Sequence, residues 1–353
     1  MWASVLRGGE MVLRDDVAEP QPGFGQVLVQ VKACGICGSD LHFAKHGARM
    51  LALGTEMKGL PSMSGGSGEG ADPPVDLGRD VFMGHEIAAE VLEAGPDTQT
   101  VAPGTIVTSI PVLLSTTGIE PIVYSNETVG GYAERMLLSA PLLVEVPNGL
   151  DPGHAALTEP MAVGLHAVNK SGIAAGDGAL VLGCGPVGIA VIAALRLRGV
   201  EPIVATDLSP ARRALAVRMG ATEAVDPVAE PAFEAWARIG KGRPAPVVFE
   251  AIGVPGIIDG ALRDAPAGAR LVVVGVCMEP DTITPLWGIT KELNIQFVLG
   301  YDPTEFAGSL RSIAEGEIDV TPIITGEVGL DGVAGAFADL GDPEAHCKIL
   351  VRP

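Results

Sequence analysis

The chain has 353 residues, with 43 acidic against 23 basic side chains and a formal net charge of −20. That length exceeds one ordinary core and favours two domains, while the acidic balance disfavours nucleic acid and anionic membrane surfaces, which both need a basic face. Apolar residues make up 47% of the chain and glycine numbers 47, which suits a turn-rich α/β protein better than a fibrous or disordered one.

In chain order, residues 1–32 carry short β patterns, Val27–Val31 being the clearest. The N-terminal Met1–Arg7 has no signal-peptide core. Residues 44–80 are less regular, with one or two helical turns at Arg49–Leu53 and a Gly/Ser/Pro-rich loop at Ser62–Pro74. Strand signals return at Ile87–Leu92, Ile106–Leu114 and Arg135–Leu138, with a plain loop over Thr116–Tyr124. Pro141–Pro152 reads as a bridging segment. From about residue 155 the period changes. His154–Asn169 is helical. Strands at Ala179–Leu182, Pro202–Thr206, Ala224–Val225, Val247–Glu250, Leu271–Val276 and Ile295–Leu299 alternate with helices at Val187–Leu197, Pro210–Met219 and Ile257–Leu262. Such alternation implies βαβ crossovers and a parallel sheet. The tail returns to the first pattern, with helices at Thr304–Glu315 and Asp331–Leu340 and a strand at Lys348–Val351. The expected architecture is a doubly wound parallel α/β domain over 154–301, inserted in a β-rich domain built from 1–153 and 302–353.

Five cysteines (34, 37, 184, 277 and 347) are an odd number in mostly apolar surroundings. That argues for a reducing compartment and a cytoplasmic location rather than a disulfide framework. Cys184, Cys277 and Cys347 read as small core residues. The longest uncharged apolar run, Ala179–Leu195, is broken by Gly183, Gly185, Pro186 and Gly188, so it reads as strand, turn and helix rather than a membrane span.

That broken run is also a nucleotide fingerprint. In Gly183-Cys184-Gly185-Pro186-Val187-Gly188 the first glycine permits the tight turn and the second lets a pyrophosphate approach. The third lets helix and strand pack closely. The helix N-terminus then favours phosphate charge. Asp207 lies 19 residues beyond Gly188. A carboxylate there accepts ribose hydroxyls and repels a 2′-phosphate, which favours NAD over NADP. Arg212 and Arg213, one helical turn on, keep NADP as the alternative, and a helix N-cap is the competing role for Asp207.

Upstream, Cys34-Gly-Ile-Cys37-Gly-Ser39-Asp40-Leu-His42 admits three readings. A redox dithiol needs a small βαβ context, which is missing. A structural zinc needs a second Cys/His pair at ligand spacing, and none follows. A catalytic zinc with one thiolate needs one Cys, one His and one further ligand. Cys37, His85 and Glu159 supply these, and Ser39 and His42 stand ready as a proton relay. Cys34 is then a buried neighbour.

Cys37-Gly-Ser-Asp-Leu-His42, Gly84-His85-Glu86, Leu157-Thr-Glu-Pro-Met-Ala-Val-Gly-Leu-His166 and the Gly183–Gly188 turn together resemble the zinc-dependent alcohol dehydrogenases of the medium-chain dehydrogenase/reductase superfamily. Glu159 makes the chain similar to the polyol and threonine dehydrogenase branch. The resemblance implies a Rossmann domain inserted in a GroES-like catalytic domain. It implies one catalytic zinc on Cys37, His85 and Glu159, with Glu86 behind and able to enter the shell. Asp40 would orient His85. Ser39 would take the alcohol proton and His42 pass it on. Val274-Gly275-Val276 and Leu299-Gly300-Tyr301 would lie along the nicotinamide. It also implies a homodimer or homotetramer paired near Ile295–Leu299.

Two features depart from the family. Residues 87–158 contain no cysteine, so no second, structural zinc is expected. Cys37 and His85 are 48 residues apart, about twice the family spacing, and the excess in 44–80 suggests a flap with Met50, Leu51, Leu53 and Met57 as apolar contacts, or else a surface insertion. The expected reaction is reversible oxidation of a small, secondary alcohol to a ketone with hydride transfer to NAD. The alternatives are an aldehyde, primary-alcohol or polyol dehydrogenase, a zinc-free enone reductase, or a nucleotide-binding protein without catalysis.

Overall fold

The structure, a computed structural model, describes residues 1–56, 75–116 and 118–353. Met57 and the Ser62–Pro74 loop lie outside the described residues. The chain forms two compact units. One comprises Met1–Glu159, Ile324–Gly341 and Lys348–Pro353; the other comprises Pro160–Ile323 and Asp342–Cys347.

The first unit begins with the hairpin β1 (Ala3–Arg7) and β2 (Glu10–Arg14), then β3 (Gln26–Gly35) and α1 (Gly38–Glu56). Next come β4 (Glu86–Ala94), β5 (Ile106–Ser109), β6 (Val112–Ser115), β7 (Gly118–Pro121), β8 (Arg135–Ser139), β9 (Leu143–Glu145) and α2 (Pro152–Ala156). α3 (Thr158–Lys170) leads into the second unit. That unit holds β10 (Ala179–Leu182), α4 (Pro186–Leu197), β11 (Ile203–Thr206), α5 (Pro210–Met219) and β12 (Glu223–Val225). It continues with α6 (Ala232–Ile239), β13 (Val247–Glu250), α7 (Ile257–Asp264), β14 (Arg270–Val273), α8 (Pro285–Lys291), β15 (Asn294–Phe297) and α9 (Pro303–Ala314). β16 (Ile324–Val328), α10 (Val333–Asp339) and β17 (Lys348–Val351) return to the first.

β3 is the spine of the first unit. It pairs antiparallel with β4, β8 and β17 in a seven-stranded sheet ordered β16-β17-β3-β4-β5-β9, with β8 also on β3. Its Val27, Val29 and Val31 are buried with Ile87, Val91, Met136, Leu138 and Ile349 in one core. These valines alternate with the exposed Gln30 and half-buried Lys32, the pattern of an antiparallel strand with one face on the core. The register sets Gly35 opposite both Glu86 and Leu350, so the ends of three strands meet just before Cys37.

The second unit has a six-stranded parallel sheet ordered β12-β11-β10-β13-β14-β15. The first strand lies centrally and the order runs outward in both directions, which is the Rossmann arrangement, with its switch point between β10 and β13. The four central strands are buried throughout except at Arg270, and Trp236 and Leu262 of the flanking helices pack in one core with Leu180, Val204, Val248 and Leu271 of the sheet.

Several elements differ from the sequence expectation. Ile106–Leu114 is two strands, because Pro111 interrupts the ladder. Thr116–Tyr124 is no plain loop, since β7 pairs with β6 in a hairpin. His154–Asn169 is two helices divided at Leu157, since Pro160 lacks the N–H that would continue the ladder and so starts a new one. The second unit runs to Ile323 rather than ending near 301, and α9 stays in it because Glu305 bonds His166 and Asn169 of α3. Within 44–80, α1 continues to Glu56 with a kink at His46. Among the described residues no helix is long and apolar enough to cross a membrane.

Candidate active site

Cys37 lies between β3 and α1, half-buried, with Ser39 and Asp40 in the first turn of the helix. A reciprocal turn fixes this start. The Asp40 N–H donates to Cys37 O at 3.1 Å, and the Cys37 N–H donates to Asp40 Oδ2 at 3.1 Å. The Tyr132 hydroxyl donates to the same Oδ2 at 2.6 Å. Tyr124 stacks on Phe43, centroids 3.8 Å apart, and its hydroxyl donates to Ser39 O at 2.9 Å, pinning the turn from outside. Ser39 and His42 share one helix face at a spacing of three. His42 is exposed, and desolvation of its ring, followed by the His46 and Lys45 charges, lowers its pKa.

His85 ends the segment before β4 and is buried. Its Nδ1 is 3.5 Å from Asp40 Oδ1, and both atoms are buried without a hydrogen-bond partner. Cys37 also acts on the charge of the imidazole. Burial opposes the charged ring, but Asp40, then Cys37 and Glu159, outweigh it and hold His85 well above the usual histidine range. Glu159, in the first turn of α3 and half-buried, is thus near enough to act on His85. The charges of Asp40, Cys37 and Glu159 thus all act on one imidazole, with the Asp40 carboxylate directly behind it. Two facing orphan atoms in a buried site and a soft/borderline donor set fit a catalytic zinc, whose histidine ligand keeps its other nitrogen on a carboxylate.

Glu86 is fully buried, and Lys348 Nζ donates to its Oε1 at 2.6 Å and to Ile36 O at 2.9 Å. Gly35 makes the seat, since a Cβ there would fall 1.9 Å from Glu86 Oε2. The charge pair with Lys348 escaped the sequence reading; a lysine inside the apolar run Lys348–Val351 was its one signal. Tyr132 and Tyr124 were missed as well. Cys34 is fully buried, and burial pushes its thiol well above the ordinary value.

In the second unit, parallel register aligns Leu182 with Thr206 and Glu250, Glu250 with Val273, and Val273 with Phe297. Gly183, Asp207, Val274 and Val298 therefore leave one edge of the sheet together, where nucleotides bind. Gly183 takes φ +92°, and a Cβ on Gly188 would meet Gly183 O at 2.0 Å. Gly185 caps α4, with Pro186 and Val187 in its first turn. Asp207 accepts from Cys184 N and Ser209 N at 2.8 Å each, while Ser209 is the actual N-cap of α5. The Arg212 guanidinium approaches Gly185, and its Nε has no partner. Val274 is buried, Gly275 packs on Gly253, and Val276 and Leu299 are exposed beside Gly300. Glu250, also missed, is buried at this edge and accepts from Ile252 N and Gly253 N at 2.7 and 2.8 Å. Burial pushes the Cys184 thiol up to about 12, as for a core residue, and Cys347 is buried too. Cys277 is not a core residue: it is half-buried on the loop after β14.

Among the described residues, the cluster of liganding atoms that lies within 4.8 Å is His166, Asp302 and Glu305. Its bonds are internal. Glu305 accepts from His166 and Asn169 and closes a capping box with Asp302 at the start of α9.

The zinc-binding dehydrogenase profile matches residues 186–315, and the alcohol dehydrogenase GroES-like domain matches 23–148. The chain is 32% identical to (R,R)-butanediol dehydrogenase of Bacillus subtilis (strain 168), covering 96% of each, and 26% identical to sorbitol dehydrogenase of the same organism, covering 100% and 97%. The 2R,3R-butanediol dehydrogenase structure from B. subtilis superposes with a TM-score of 0.81 at 30% identity, over 100% of this chain and 99% of that one. A Sinorhizobium meliloti 1021 structure described as a zinc-binding dehydrogenase bound to NADP gives 0.79 at 30% identity over the same shares. With this coverage of both units, the chain belongs to the zinc-dependent alcohol dehydrogenases of the medium-chain dehydrogenase/reductase superfamily.

Proposed function

We propose that the protein oxidises a small secondary alcohol or vicinal diol to the ketone, reversibly, with NAD as hydride acceptor and one zinc per chain. The reading is supported by the charges of Asp40, Cys37 and Glu159 acting together on the buried His85, with the Asp40 carboxylate 3.5 Å behind its Nδ1. The butanediol and sorbitol dehydrogenases among its relatives support the substrate class.

Cys37, His85 and Glu159 would hold the metal. Zinc so bound supplies Lewis-acid polarisation, which lets an alcohol lose its proton near neutral pH. Ser39 Oγ accepts that proton from the substrate hydroxyl, and His42, exposed one turn along, passes it to solvent. Asp40 holds the His85 tautomer, and the Lys348 charge balances Glu86 behind the ligands. The first turn of α4 binds the pyrophosphate through backbone N–H groups. Asp207, already oriented by two amides, accepts a ribose hydroxyl and repels a 2′-phosphate; Arg212 flanks the same turn. Val274–Val276 and Leu299–Gly300 line the nicotinamide end of the sheet edge.

A homo-oligomer fits the exposed, apolar edge strand β15, where Phe297 is 65% exposed and Ile295 37%. An unpaired edge of that kind is stable when a second copy extends the sheet. A panel of diols, secondary alcohols, primary alcohols and polyols, run with NAD and with NADP and followed by reduced-cofactor absorbance, tests the proposal. Turnover confined to primary alcohols, or to NADP, would reject it.

A further inference from the structure

We propose that Tyr132 is a positioning residue for the metal centre: its hydroxyl locks the Asp40 carboxylate so that His85 can present Nε2 as a ligand. The inference rests on the zinc reading above and goes one residue further back.

Asp40 is fully buried, so its orientation is set wholly by the donors around it. Both donors fall on one oxygen, Tyr132 Oη at 2.6 Å and Cys37 N at 3.1 Å. The other oxygen is left bare, 3.5 Å from a bare His85 Nδ1. A separation of 2.6 Å is at the short, charge-assisted end for O–H···O, so the tyrosine is the stronger of the two holds. Without it a 3.1 Å amide alone resists rotation of the carboxylate. Rotation would swing Oδ1 off His85, free the imidazole tautomer and loosen the ligand.

Tyr132 is itself fixed by the segment that carries His85. Its N–H donates to Met83 O at 3.2 Å, and its carbonyl accepts from Ser4 N at 2.7 Å. Its ring meets Phe337 edge-on, centroids 6.1 Å apart. Gly84 turns between them at φ +98°, and a Cβ there would lie 2.9 Å from Tyr132 Cδ1 and N. The backbone before His85 is therefore built around the tyrosine ring, and the hydroxyl is aimed from that seat at Asp40.

Tyr132→Phe removes one oxygen and keeps the ring. The readouts are the rate of zinc release to a chromophoric chelator and the d–d absorption of the Co2+-substituted chain. The inference expects metal retention to fall roughly 10–100-fold, the cobalt bands to shift, and NAD affinity to stay unchanged. Since Tyr132 acts through Asp40, Tyr132→Phe should add little on top of Asp40→Asn. Phe337→Leu disturbs the ring's packing without touching the hydroxyl, and should lower the melting temperature while leaving zinc release as in wild type. Wild-type zinc release and cobalt spectrum in Tyr132→Phe, or full additivity with Asp40→Asn, would overturn the inference. So would Phe337→Leu reproducing the whole metal defect. A wild-type chain that takes up neither metal would instead reject the zinc reading beneath it.

Discussion

Lys348→Met tests the buried charge pair behind the metal ligands. Lys348 and Glu86 lie 2.6 Å apart, 1% and 0% exposed. At an effective dielectric of about 20, two charges at that separation attract by ~6 kcal/mol. Taking each ion out of water costs several kcal/mol, so the intact pair is near balance. Removing the lysine leaves only the unfavourable side, an uncompensated carboxylate in the core, and a loss of ~3–5 kcal/mol is expected. Ile36 O also loses a donor. Against a total stability of roughly 5–15 kcal/mol, this would bring the first unit close to unfolding. Because the chain has two units, the assay is hydrogen exchange with mass spectrometry on peptides from β3 and β4, which reports on the first unit separately. The double variant Lys348→Met/Glu86→Gln removes both charges and should recover most of the loss. A single-variant loss below about 1 kcal/mol, or a double variant as weak as the single, would refute the charge argument.

Gly188→Ala places a Cβ 2.0 Å from Gly183 O, so the start of α4 must shift; NADH titration by fluorescence should show affinity down at least about tenfold, with ~1–3 kcal/mol of overpacking cost. Asp207→Asn removes the charge that rejects a 2′-phosphate, and the NADP/NAD preference should rise about tenfold, ~1.4 kcal/mol, with no change in preference contradicting that role. Burial opposes the Glu305 charge, yet the Asp302 amide, Asn169 and His166 outweigh it and hold its pKa below the usual range. A lowered folded pKa gives stability that is present above the ordinary carboxylate value and lost as pH falls through the folded one. Glu305→Gln should therefore cost about 1–3 kcal/mol at neutral pH and converge with wild type in acid; a gap that is constant with pH would contradict this.

The Rossmann strands were legible because strands buried on both faces read as apolar blocks, and because Gly183, Gly185 and Gly188 sit where backbone must approach backbone. Cys37, His85 and Glu159 were legible as residue types with a shared chemistry, and Asp40 as the partner of His85. Tyr132, Tyr124 and Lys348 were not. Each acts across a long sequence separation through one hydroxyl or ammonium, and nothing in the local pattern marks such a contact. Glu250 was hidden for a similar reason, since it reads as the polar end of a strand and only the loop folding back on it reveals its two backbone donors. Pro111 and Pro160 carried the breaks in the Ile106–Leu114 and His154–Asn169 runs, where the apolar period outweighed them in the reading. Ser209 rather than Asp207 caps α5, which leaves Asp207 free of the role that competed with ribose binding.

The most direct test is metal analysis of the purified chain beside Cys37→Ser, with NAD-linked alcohol oxidation measured on both. The account expects about one zinc per wild-type chain, and loss of both zinc and turnover in Cys37→Ser while NAD still binds. A wild-type chain that turns over without metal, or a Cys37→Ser variant that keeps its activity, would contradict it.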